Sequence, residues 1–257
     1  MAVGVEKRGS IGLVKFNRPP ANSYNREFLD ELNAAIDEIR FDEQVRVAIV
    51  VSELPRFFCA GADIKMFQES SLPYKTAFVL HAHEVVAKIE RTPKVWIAAI
   101  SGHTLGGGLE IALGCDFRFA AEGDYRIGLP ESKLGLLPGT GGTQRLPRLI
   151  GHTRALHLIL TGEAVGPQEA LDLGIVDRLF AADQLMDECL EYANGLASGA
   201  PIALGNIKVA ATLGGQGTLE SGLALEREAV WRLFPTDDAA EGLAAQTERR
   251  APKFEGH

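Results

Sequence analysis

Apolar and polar positions alternate along 3–7 and again along 11–16, on either side of Gly9-Ser10, the period-2 pattern of a hairpin. Asn17-Arg18-Pro19-Pro20 closes it, because proline has no N–H to give a strand ladder. Phe28, Leu29, Leu32, Ile36 and Ile39 then recur at helical spacing, which predicts a helix to about residue 39. The near-continuous apolar runs 45–51 and 95–100 predict buried strands. Between them come a loop of small residues, Phe57-Phe58-Cys59-Ala60-Gly61-Ala62-Asp63-Ile64-Lys65, with Asp63 placed as a helix cap, and a helix over 73–91.

After Ile100 a short turn reaches Gly106-Gly107-Gly108, which opens an apolar helix to Leu113; a strand follows at 117–121. Strand, small-residue turn and helix therefore occur twice, which suggests an internal repeat. Two prolines and four glycines fix an irregular loop over 129–142 ahead of a helix at 143–150. From 152 the pattern is almost wholly helical: 152–161, 167–173 with Pro167 in the first turn, a short strand at 176–180, then 183–197, 201–213, 218–233 and 237–249, the last capped by Asp237 or Asp238. The pattern divides into an α/β core over 1–195 and a helical part over 196–257. About 60 residues of helix bury little alone, so this part is expected to pack on the core or on a neighbouring subunit.

The chain has 257 residues, of which 46% are hydrophobic and 23% charged, the balance of a water-soluble globular protein. Its net charge of −8 argues against nucleic acid and anionic membranes as partners, which call for a basic footprint. The N-terminus lacks the apolar core of a signal peptide and no 18-residue apolar run exists, so a cytoplasmic location is expected. Cys59, Cys115 and Cys189 are sparse, odd in number and without CxxC spacing, as expected of buried thiols in a reducing compartment.

The candidate chemistry starts at the three glycines. They strip Cβ atoms from a helix start, where N–H groups lack intrahelical partners and the dipole favours negative charge. Glu110 lies about one turn in, so the stretch reads as an oxyanion site with a carboxylate beside it. Taken singly, three glycines are more often a tight turn or a close helix–strand contact, and Glu110 or the loop residue Glu131 more often a solvated carboxylate. Other chemistries fail on spacing. His83-Glu84 lacks the second histidine of a zinc-protease helix, and 139–144 ends on Gln144 where a dinucleotide loop needs glycine. No phosphate-binding GxxxxGK[ST] and no G-x-S-x-G nucleophile elbow occurs.

Together these motifs are specific. Phe58-Cys59-Ala60-Gly61-Ala62-Asp63-Ile64-Lys65, Gly106-Gly107-Gly108-Leu109-Glu110, Pro130-Glu131 before Leu134-Gly135-Leu136-Leu137-Pro138-Gly139, Gly141-Gly142-Thr143-Gln144-Arg145-Leu146 and the tail Asp237 to Gly242 resemble the enoyl-CoA hydratase/isomerase (crotonase) superfamily, in order, from about residue 5 to the C-terminus. The resemblance implies an α/β fold, a spiral of β-β-α turns with a C-terminal helical trimerisation region, in a homotrimer or homohexamer. It implies an acyl-CoA thioester as substrate, hydrated as a 2-trans-enoyl-CoA, with coenzyme A present only as part of that substrate and no metal. The amides of Ala62 and Gly107 would hold the thioester oxygen. Ala60 and Asp63-Ile64-Lys65 would lie along the CoA, Glu110 would activate the water, Glu131 would protonate C2, and Gly139 would help place the water. Met66, Phe67, Phe78 and Leu137 are candidates for the acyl pocket and equally for core. Three positions depart from the family pattern. Asn22-Ser23-Tyr24 replaces a small-and-leucine loop, Pro20 stands where a CoA-phosphate lysine is usual, and Gln246 replaces an aromatic. Two other readings stay open: a double-bond isomerase or related acyl-CoA lyase, and a non-catalytic acyl-CoA- or RNA-binding member.

Overall fold

The computed structural model describes residues 1–257. A hairpin of β1 (Val3–Arg8) and β2 (Ile11–Phe16) leads through α1 (Arg26–Phe41) into three turns of strand, strand, helix. The first is β3 (Val47–Ser52), β4 (Phe57–Cys59), α2 (Ile64–Glu69) and α3 (Leu72–Arg91). The second is β5 (Val95–Ile100), β6 (His103–Leu105) and α4 (Gly107–Gly114). The third is β7 (Phe117–Ala121), β8 (Ile127–Gly128), a 3₁₀ turn at Pro130–Leu134 and α5 (Gly142–Ile150). There follow α6 (His152–Thr161), β9 (Ala164–Val165), α7 (Pro167–Leu173), β10 (Arg178–Phe180), α8 (Leu185–Ala197), α9 (Pro201–Gly214), α10 (Leu219–Leu233) and α11 (Asp237–Glu248).

The first strand of each turn joins a six-stranded sheet ordered β1-β2-β3-β5-β7-β10, and the second joins a four-stranded sheet ordered β4-β6-β8-β9. The chain is thus the expected spiral of β-β-α turns. Parallel neighbours such as β3 and β5, with Val47 opposite Val95, are apolar at every paired position because both faces of the sheet are covered. Phe16, Phe28, Trp96 and Ile100 belong to the larger cluster, which α1, α3 and α4 close. Ile11, Ile49 and Phe119 point the other way, onto Leu185, Cys189 and Ala193 of α8. All three cysteines are buried and unpaired.

The differences from the sequence pattern are local. β4 and β6 fall in what reads as loop and turn, being three residues each, too short for a period to show. The strand at 176–180 shortens to Arg178–Phe180, because the Ile175 and Val176 amides turn back to the carbonyl of Ala170. The cap of α11 is Thr236, whose hydroxyl accepts from Ala239 N at 3.1 Å, and not Asp237 or Asp238. Asp238 instead receives the amides of Glu255 and Gly256 at 2.7 and 3.0 Å, holding the C-terminal tail.

The C-terminal helices return to the chain's own core. Lys208 of α9 is buried and donates to the carbonyls of Ile89 and Lys94, each at 2.9 Å, and to the Asp116 carboxylate at 2.9 Å. Arg46 reaches the carbonyls of Ala197 and Phe254 at 2.9 and 3.2 Å. By contrast α10 buries none of its residues, and Leu219, Leu223, Trp231 and Phe234 lie exposed. No single helix is long and apolar enough to cross a membrane.

Candidate active site

The N-terminus of α4 is where the three turns of the spiral meet. The loop after β4 turns on Gly61, whose φ of +88° a side chain would strain. Tyr24 N donates to Gly61 O at 2.8 Å and Asp63 N to Tyr24 O at 2.9 Å, so Tyr24 and Ala62 pair as a parallel bridge. The Ala62 amide between them donates to no protein acceptor. A Cβ on Gly61 would stand 3.0 Å from Gly107 N, so this loop packs directly on the helix start. Gly107 provides the first N–H of α4, one of those a helix leaves unpaired at its positive end. Two free amides from distant parts of the chain therefore lie side by side.

Glu110 projects from the first turn of α4 and is almost wholly buried. One of its oxygens, Oε1, accepts the amides of Thr140 at 2.6 Å and Gly142 at 2.7 Å. Burial raises its pKa, and those two N–H groups oppose the rise by favouring the ionised form. The loop that carries them is itself held. Arg145 makes a bidentate pair with Glu90 at 2.7 and 2.8 Å and donates to the Thr140 carbonyl at 2.8 Å.

Glu131 comes from the 3₁₀ turn of the next repeat, where Pro130 takes the first position. A Cβ on Gly106 would meet its Oε1 at 2.9 Å, so its carboxyl also lies against the start of α4. Its Oε2 is buried without a protein partner. Burial pushes its pKa up to about 7, and the charge of Glu110 adds to the shift. The two glutamates thus lie at one site in unlike surroundings, Glu110 held by N–H donors and Glu131 largely unpaired.

The remaining residues singled out in the sequence are spread around this centre. Ala60 N is taken by the Ala21 carbonyl at 3.0 Å. Asp63 caps α2, accepting from Lys65 N at 3.1 Å and Met66 N at 3.3 Å, and pairs with Arg18 at 3.1 Å. Ile64 and Lys65 are exposed, and Asp63 and Lys65 line an open cleft of about 580 Å³ with Asn25, Arg26 and Tyr74. Gly139 is half-buried beside Val79 and its N–H has no protein acceptor; it is Thr140 and Gly142 that hold Glu110. Phe78 is core and meets Phe67 edge-on with ring centroids 5.4 Å apart, while Leu137 is exposed. Sequence reasoning passed over Thr140, Gly142, Arg145, Glu90 and Tyr24 as parts of the site. Their partners lie 30 or more positions away, beyond any local period.

The enoyl-CoA hydratase/isomerase family model matches residues 6–257. A short-chain-enoyl-CoA hydratase of Clostridium acetobutylicum is 38% identical over 253 residues, covering 98% of this chain and 96% of that protein. An enoyl-CoA isomerase/hydratase of Mycosarcoma maydis is 38% identical over 248 residues, 93% of this chain and 90% of the other. Among solved structures, an enoyl-CoA hydratase of Geobacillus kaustophilus HTA426 superposes with a TM-score of 0.97 at 46% identity, covering 100% of this chain and 97% of its own. The architecture is the crotonase fold, and the chain belongs to the enoyl-CoA hydratase/isomerase family.

Proposed function

We propose that this protein adds water across the double bond of a 2-trans-enoyl-CoA to give a 3-hydroxyacyl-CoA. The observation that carries the reading is the unlike pair of buried glutamates at the start of α4, beside two unpaired amides. The thioester oxygen sits against the N–H groups of Ala62 and Gly107, which stabilise the negative charge it gains as water attacks C3. One preorganised donor of this kind is worth about 2.7–4 kcal/mol. Glu110, whose Oε1 is held by the Thr140 and Gly142 amides, accepts the proton of the water when ionised. Glu131, whose carboxyl is protonated below about pH 7, donates to C2. The two act as a coupled pair, so each proton transfer alters the other's readiness.

The CoA part lies along Ala60 and Asp63-Ile64-Lys65, with the exposed Lys65, paired only loosely with Glu69 at 3.8 Å, within the cleft to meet a phosphate. Gly139 N–H faces the attacking water. The exposed apolar residues of α10 support a homotrimer or homohexamer in which a neighbour covers them. The decisive assay follows loss of the conjugated absorbance of crotonyl-CoA. Glu110→Gln and Glu131→Gln should each lower the hydration rate by two or more orders of magnitude while butyryl-CoA still binds. Normal hydration by both variants would end the reading.

A second reading, double-bond isomerase, has one supporting observation. Glu131 alone, with an unpaired Oε2 and a pKa near 7, has the form of a proton shuttle between C2 and C4. Given 3-enoyl-CoA, an isomerase produces conjugated absorbance and retains that activity in Glu110→Gln, whereas the hydratase reading expects little in either form.

A further inference from the structure

Tyr24 brings a hydroxyl into the site that the scheme above does not use. Its backbone is tied to the oxyanion loop through Gly61 O and Asp63 N. Its ring stacks on Phe78, with centroids 6.0 Å apart and planes inclined by 23°. Ring and backbone together leave the side chain one direction, across the start of α4. A Cβ on Gly107 would fall 1.9 Å from its hydroxyl oxygen, so no other residue than glycine fits under it. The residue is 3% exposed, yet the only protein partner of the hydroxyl is Thr140 Oγ1 at 3.5 Å, the outer limit for an O–H···O bond. A phenylalanine would supply the same packing. A buried hydroxyl left poorly paired is destabilising, so its place calls for a partner that the free protein does not provide.

We propose that the Tyr24 hydroxyl donates a hydrogen bond to the oxygen that is exchanged between water and C3 of the acyl group. This rests on the hydratase reading. The thioester oxygen already has the Ala62 and Gly107 amides. Thr140, the hydroxyl's one hydrogen-bond partner in the protein, is the residue whose amide fixes Glu110. The reacting atom on that side is the oxygen that Glu110 deprotonates. In the step itself the water oxygen bonds to C3, the π pair moves toward the thioester, one water proton passes to Glu110 and the Glu131 proton passes to C2. Tyr24 keeps its own proton and occupies a lone pair of the oxygen, leaving the other lone pair for C3. The phenol is held neutral for this purpose: burial raises its pKa far above the ordinary value, and the Glu110 charge pushes the same way.

The test is Tyr24→Phe, which removes one oxygen atom and keeps the ring on Phe78. With crotonyl-CoA, kcat should fall ~10–100-fold while KM and the dissociation constant for butyryl-CoA stay within about two-fold. Tyr24→Leu, which also removes the ring, should weaken butyryl-CoA binding as well. A kcat for Tyr24→Phe within about two-fold of the wild-type value overturns the proposal, and so does a loss that falls on butyryl-CoA binding instead of kcat. If the wild-type protein hydrates no enoyl-CoA at all, it is the hydratase reading that fails. If it does and Tyr24→Phe matches it, only the role of Tyr24 fails.

Discussion

Glu131 is the residue on which pH acts most directly. Its ordinary value is 4.5 and burial beside Glu110 lifts it to about 7. In the proposed hydration the donor at C2 must be protonated, so kcat/KM should decline as pH rises through about 7, and Glu131→Gln should lose that limb along with most of its rate. The same shift has a consequence for stability. Between 4.5 and about 7 the folded protein holds a proton that the unfolded chain has released, so stability falls as pH rises across that window. Glu131→Gln should therefore raise Tm relative to the wild type at pH 8 and gain little at pH 4.5, as a pair of thermal melts will show. A variant less stable at both pH values would contradict the unpaired state of Oε2. The identities of Glu110 and Glu131 were legible because each sits in a short contiguous motif. Tyr24 was not, because what makes it notable is a contact with Thr140 116 positions away.

At the level of elements, the loop over 138–142 depends on a clamp between helices α3 and α5. Arg145 binds both oxygens of Glu90 and the Thr140 carbonyl, so it fixes the two amides that point at Glu110. Lysine carries the charge without the planar fork. Arg145→Lys should thus lower kcat ~10–100-fold with a folded protein and near-normal butyryl-CoA binding, since a small displacement of a catalytic group is costly. The helices were readable from their apolar period, and the long strands from their apolar runs. The tiny strands β4 and β6 were not, because three residues hold no period and their pairing comes from the neighbouring turn of the spiral. Lys208 was equally hidden. A lysine among apolar residues of α9 reads as a solvated face, whereas burial and Asp116 both define it. Lys208→Ala leaves the half-buried Asp116 with only the Trp96 N–H and the carbonyls of Ile89 and Lys94 without their lysine donor, which should cost about 3 kcal/mol in denaturant unfolding. Lys208→Met with Asp116→Asn should cost less, because no charge is then stranded.

For the whole molecule, the spiral and its two sheets follow from repetition that the sequence shows only faintly. The β-β-α turns differ in length, so the period is blurred, and it was family motifs that made the architecture legible. Trp231 and Phe234 are aromatic side chains that the C-terminal helices leave exposed to solvent. If neighbours cover them, Trp231→Glu with Phe234→Glu should reduce the mass seen by sedimentation to that of one chain, 27.6 kDa, and lower Tm in a manner that depends on protein concentration. Sedimentation unchanged by both substitutions would refute that contact. The same helices are fastened to the rest by very different means: α9 by a buried amine among three acceptors, α10 chiefly by contact with α9. An isolated chain should accordingly exchange its amide hydrogens in two classes. Those of α9 should be lost only with the central strands, and those of α10 far sooner, so that opening of the outer helix precedes global melting by a measurable interval.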